Sequence, residues 1–139
     1  MLLGKLLHPE ILRVLGQSGH GSKILIADGN YPFNSGSPQT ATHVYLNLMP
    51  GIPKVTDVLA ALVSAIPIEA AEIMMPADGK DAPIFAEFRQ LLPGIALGKL
   101  ERFAFYEKVR EPNTTLVIAT AEQRIYANLL LTIGVVKPP

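Results

Sequence analysis

The chain contains no cysteine and no tryptophan, and only three histidines among its 139 residues. Without cysteine there are no disulfides, no thiolate nucleophile and no cysteine-ligated zinc or iron, which fits a reducing compartment. His8, His20 and His43 are too scattered to read as a metal site, so neither a metal nor another cofactor is expected. Charge of a single sign is also missing: 12 Lys and Arg balance 12 Asp and Glu. A neutral surface does not collect phosphates, which argues against nucleic acid and anionic membranes as partners. Long apolar runs are absent too. Lys5, His8 and Glu10 interrupt the apolar start, and nothing approaches the roughly 18 residues a membrane helix needs. Asn113-Thr114-Thr115 is formally a glycosylation sequon, but with no secretory signal it reads as a loop. The expectation is a soluble cytoplasmic domain.

What is present is core material. Apolar residues make up 49% of the chain and charged ones 17%, enough for one domain spanning residues 1–139. So apolar and uncharged a small chain is expected to self-associate.

Helical and extended patterns alternate. Pro9 opens a short helix with Ile11, Leu12 and Leu15 on one stripe, closed by Gly16 and Gly19. Lys23 to Asp28 reads as a buried strand, and Gly29 to Thr42 as a long Gly, Asn, Ser and Pro loop with little to bury. Val44 to Met49 reads as a second strand. After Pro53, the spacing of Val55, Val58, Leu59, Leu62, Val63 and Ile66 predicts the clearest helix. Ile68 to Met75 follows as a strand. Asp81 and Pro83 start a helix carrying Phe85, Phe88, Leu91 and Leu92, which Pro93-Gly94 stops. Thr114 to Ala119 and Asn128 to Val136 are late β-type segments. The pattern predicts an α/β fold, a single domain with a mostly buried sheet flanked by helices.

Few residues could carry chemistry. His20 sits between Gly19 and Gly21, which leave an imidazole that titrates near neutrality unshielded. The plainer reading is a surface histidine after a helix cap. Asp28 ends the first strand, where ligands of open α/β sheets bind, although Asp-Gly-Asn is also an ordinary turn. Arg102 precedes Phe103-Ala104-Phe105-Tyr106-Glu107 and could fork around ligand oxygens. Tyr126 and Asn128 flank Ala127. They would share a face if extended and diverge if helical. No phosphate loop or Gly-x-Ser-x-Gly elbow is present, and Ser35-Gly36-Ser37 has no evident partner base. The residues alone thus point to a polar, neutral site with one candidate acid–base histidine.

Taken in order, His8-Pro9-Glu10-Ile11-Leu12, Gly16 to Gly21, Lys23 to Asp28, Arg102 to Glu107 and Tyr126-Ala127-Asn128-Leu129-Leu130 resemble the ribose pyranase and fucose mutarotase family over nearly the whole chain. The resemblance implies His20 as catalytic acid–base and Asp28, Arg102, Tyr126, Ala127 and Asn128 as sugar-binding positions. Tyr126 is the candidate second proton carrier. It also implies a monosaccharide substrate, no cofactor, and a decamer of stacked pentameric rings with sites shared between neighbours. Tyr106 stands where the ribose branch tends to have histidine, which favours the fucose branch. Ala127 and Asp28-Gly29-Asn30-Tyr31 depart from common fucose-type sequences, which leaves the exact sugar open. The expected function is mutarotation of a free sugar, L-fucose first. D-ribose pyranase activity and non-catalytic sugar binding in transport are the alternatives.

Overall fold

His8 starts the first helix. In the computed structural model, which describes residues 1–139, its Nδ1 accepts the Ile11 N–H at 3.3 Å. Pro9 takes the first helical position, where a missing N–H costs nothing. The helix, α1 (Pro9–Gln17), buries Ile11 and Val14 and ends at Ser18. The strands are β1 (Lys23–Ala27), β2 (Thr42–Tyr45), β3 (Ile68–Met74), β4 (Leu97–Leu100), β5 (Thr114–Ala119) and β6 (Leu129–Ile133), and the remaining helices are α2 (Val55–Val63), α3 (Ile84–Leu91) and α4 (Arg102–Val109).

The six strands form one sheet in the order β2-β5-β1-β6-β3-β4. β6 runs antiparallel to both its neighbours, and every other pairing is parallel. The carboxyl ends of β1 to β5 therefore lie on one edge, together with the amino end of β6. That edge is where an open α/β sheet presents a site.

Ile24, Ile26, Leu116, Ile118, Leu129 and Leu131 face a layer made by α1, α2 and α3. Leu25, Ala27, Val117 and Leu130 face α4, through Phe105 and Val109, and the loop residues Tyr31 and Ala41. Cover on both faces explains why β1 reads as an unbroken apolar run.

Several sequence expectations are corrected. β2 stops at Tyr45, and Leu48 and Met49 project into solvent. Asp81 does not cap α3; it pairs with Arg89 at 2.7 Å and Lys99 at 3.2 Å. The sequon does not lie in a loop: only Asn113 sits in a turn, and Thr114 and Thr115 open β5, as the β-type reading of Thr114 to Ala119 expects. β4 is a short edge strand and α4 buries only Phe105 and Val109, so neither carries a legible stripe. The 29–42 loop has a core of its own: Tyr31 is buried and its hydroxyl donates to Gly36 O at 2.7 Å. A Cβ on Gly36 would lie 2.9 Å from both Pro32 O and the Tyr31 ring, so this close approach requires glycine. Ser37 does find a base, since its Oγ lies 2.7 Å from His43 Nε2. Its hydroxyl donates to Phe33 O at 2.5 Å, which makes the pair a loop staple and not a nucleophile. No helix is long and apolar enough to cross a membrane.

Candidate active site

Asp28 leaves the end of β1 buried, and the amide of Asn128, at the entrance to β6, holds it from two sides. Asn128 Oδ1 accepts the Asp28 N–H at 2.8 Å, and its Nδ2 donates to Asp28 Oδ2 at 3.2 Å. The Asn30 N–H donates to Asp28 Oδ1 at 3.0 Å. Burial pushes the Asp28 carboxyl above its ordinary value. The N–H groups of Asn30, Ala127 and Tyr31 and the Asn128 amide oppose that shift without cancelling it.

These residues form one wall of a cleft of about 230 Å³ at the carboxyl edge. Arg102 from the start of α4, Tyr106 one turn on, and Tyr126 close it. Arg102 is exposed and takes part in no ion pair, so its fork is free for a ligand. Tyr31 packs edge-on against Tyr106 at 5.5 Å and Phe105 at 6.3 Å. Its phenol is pushed up chiefly by burial and stays protonated.

Tyr126 is the one non-glycine residue with positive φ, 59°. Neither the extended nor the helical reading of Tyr126-Ala127-Asn128 holds. A left-handed residue turns the chain so that the Tyr126 and Asn128 side chains reach the same cleft while Ala127 is buried. Ala127 serves the site through its backbone N–H.

Four of the expected side chains thus converge: Asp28, Arg102, Tyr126 and Asn128. His20 does not join them within one chain. It precedes β1 whereas Asp28 follows it, and five residues at about 3.3 Å each place them roughly 16 Å apart. At the opposite edge, exposed His20 Nε2 lies 3.0 and 3.1 Å from the two carboxylate oxygens of Glu69.

Glu122, which sequence reading missed, is buried within the 120–128 segment. Its carboxylate accepts from Arg124 Nε and Nη2, both at 2.9 Å, from the Arg124 N–H at 3.1 Å and from the Val55 N–H at 3.3 Å. Burial alone would raise this carboxyl, but the Arg124 side chain and the two N–H groups hold it below its ordinary value. A lone acid in Thr-Ala-Glu-Gln gives no spacing signal that would reveal this.

The family model of the RbsD / FucU transport protein family matches residues 1–136. The chain belongs to that family. Fucose mutarotase of Homo sapiens is 33% identical over 144 residues, which cover 94% of this chain and 90% of the human one. Fucose mutarotase from Streptococcus pneumoniae, solved with L-fucose, superposes with a TM-score of 0.78 at 27% identity, covering 94% of both chains. RbsD of Bacillus subtilis complexed with D-ribose superposes at 0.82 and 27% identity, covering 99% of this chain and all of the other.

Proposed function

We propose that this RbsD/FucU-family protein is a cofactor-independent mutarotase, that residues 1–139 act as one catalytic domain, and that L-fucose is its substrate. The observation carrying this reading is the convergence of Asp28, Arg102, Tyr126 and Asn128 on one small cleft. These groups offer acceptors and directional donors suited to the hydroxyls of a neutral ring, and the chain's zero net charge does not select an anion. The kinship with fucose mutarotases supports L-fucose as the sugar.

The reaction needs only proton transfer. A proton leaves the anomeric hydroxyl, the bond from C1 to the ring oxygen breaks, and that oxygen takes a proton, giving the open-chain aldehyde. Rotation about the C1–C2 bond and the reverse steps give the other anomer. Positioned acid–base groups supply about 10² to 10⁴ in rate for such steps. The Tyr126 phenol is one donor in reach of the cleft, and Asp28 and Asn128 hold hydroxyls.

His20 would be the second acid–base group, delivered from a neighbouring copy, because its own chain keeps it at the far edge of the sheet. Exposed Tyr45, Leu48, Met49 and Ile52 beside β2, and Leu2 and Leu3 at the amino terminus, are the kind of surface such an assembly covers. A decamer of stacked pentameric rings in the cytoplasm fits this reading.

The test is polarimetric. Freshly dissolved α-L-fucose should reach its equilibrium rotation faster in proportion to added protein, and faster than D-ribose does. The likeness to the Bacillus subtilis protein complexed with D-ribose supports ribose as the second reading, and a reversed order would establish it. Binding of sugar with no acceleration would instead identify a passive carrier.

A further inference from the structure

Tyr126 holds a left-handed backbone conformation that is rare for a bulky side chain and persists only where its surroundings over-determine it. Thr120 to Asn128 forms no helix or strand, yet Thr120, Glu122, Ala127 and Asn128 are buried. Hydrogen bonds fix this segment, and six of them meet at Glu122.

Four donors converge on the Glu122 carboxylate. Three belong to Arg124, two residues before Tyr126, and the fourth is the first N–H of α2. Arg124 in turn reaches Glu87 on α3, so its guanidinium is clamped between two carboxylates. The backbone of Glu122 is tied as well. Its N–H donates to Thr120 Oγ1 at 3.2 Å, and its C=O accepts the Gly29 N–H at 2.9 Å, next to Asp28. Thr120 Oγ1 donates to Ala27 O at 2.7 Å, at the end of β1. Glu122 therefore connects the left-handed turn that aims Tyr126 to the strand end that carries Asp28, without lining the cleft itself.

We infer that Glu122, through its two-oxygen grip on Arg124, is a positioning residue that holds Tyr126 in reacting geometry toward the sugar. The inference rests on the mutarotase reading and on Tyr126 facing the substrate. A carboxylate is needed because both oxygens accept from the planar fork. An amide of the same shape would turn an N–H donor toward the guanidinium.

The experiment is a double-mutant cycle on the full-length protein, read as kcat and KM for L-fucose anomer exchange. Glu122→Gln should lower kcat about tenfold to a hundredfold, the scale of a misplacement of about 1 Å, with a smaller change in KM. Tyr126→Phe should also be slow, and adding Glu122→Gln to it should cost little more, because the grip would no longer have a hydroxyl to aim. Arg124→Lys keeps the Glu122–Val55 contact and a cation but loses the fork. It should reproduce the same non-additivity and serves as the readout if Glu122→Gln does not fold. A slow Tyr126→Phe whose losses with Glu122→Gln or Arg124→Lys simply multiply would overturn this inference alone, since that is what a merely structural role gives. A Tyr126→Phe as fast as wild type would overturn the reading of Tyr126 and this inference with it.

Discussion

Replacing Asn128 by alanine removes both bonds that its amide makes to Asp28. The Asp28 N–H loses its acceptor at 2.8 Å and is left in a buried site, at a cost of about 1–3 kcal/mol. The carboxylate loses a donor at 3.2 Å, and a hydrogen bond to a charged group is worth about 1.5–3 kcal/mol. Together the loss is about 2.5–6 kcal/mol, which for a chain of this length lowers the melting temperature by on the order of 10 °C or more. Asp28, with one opposing donor gone, would titrate still higher, and L-fucose affinity should fall at neutral pH. Differential scanning calorimetry with a matched sugar titration measures both effects. Asn30→Ala is the control, because Asn30 holds Asp28 through its backbone N–H, which alanine keeps. If Asn128→Ala melts within about 2 °C of wild type, a spread below even one kcal/mol, the Asn128 amide does not hold the end of β1 in place.

His20→Ala should slow anomer exchange by roughly two powers of ten while sugar affinity, which rests on the cleft, changes much less; an unchanged exchange rate would remove His20 from the reaction. If the site is shared between copies, His20→Ala and Arg102→Ala subunits, each slow alone, should regain activity when dissociated and reassembled together, and no recovery would contradict the sharing. Because burial raises the Asp28 carboxyl above the ordinary 3.8, the stability it contributes is present at low pH and lost as pH rises through its native value. Wild type should accordingly lose ground to Asp28→Asn as pH rises above that ordinary value, and denaturant titrations showing it gain ground would mean that the carboxyl is lowered instead. Glu122 has the opposite sign: its contribution should fall away as pH drops below the ordinary 4.5, visible as a shrinking gap between wild type and Glu122→Gln.

Legibility followed periodicity. β1 and α2 were readable because their burial is written in local spacing: five consecutive buried residues in the one, and Val55, Val58, Leu59 and Leu62 at helical intervals in the other. α4 was not, because its buried stripe is only Phe105 and Val109 and its cap is a glutamate, Glu101, outside the usual capping set. Asp28 was readable as a carboxylate at the end of a strand, a position that parallel sheets assign to ligands. The left-handed turn at Tyr126 had no local sign, since neither glycine nor asparagine marks it. Glu122 was invisible for a different reason. Its role is set by a helix terminus 67 residues away, and no sequence spacing encodes that meeting. The placement of His20 at the far edge follows from chain direction alone: it precedes the strand that Asp28 ends.

Saturation-transfer NMR measures acceleration of L-fucose anomer exchange at equilibrium, without a coupled enzyme. One anomeric proton is saturated and the loss of signal at the other is followed with and without protein. Transfer should grow with wild-type protein, be strongly reduced for His20→Ala, and be present with no added metal or cofactor. Wild-type protein that binds L-fucose but leaves transfer at the level of buffer would contradict the mutarotase reading.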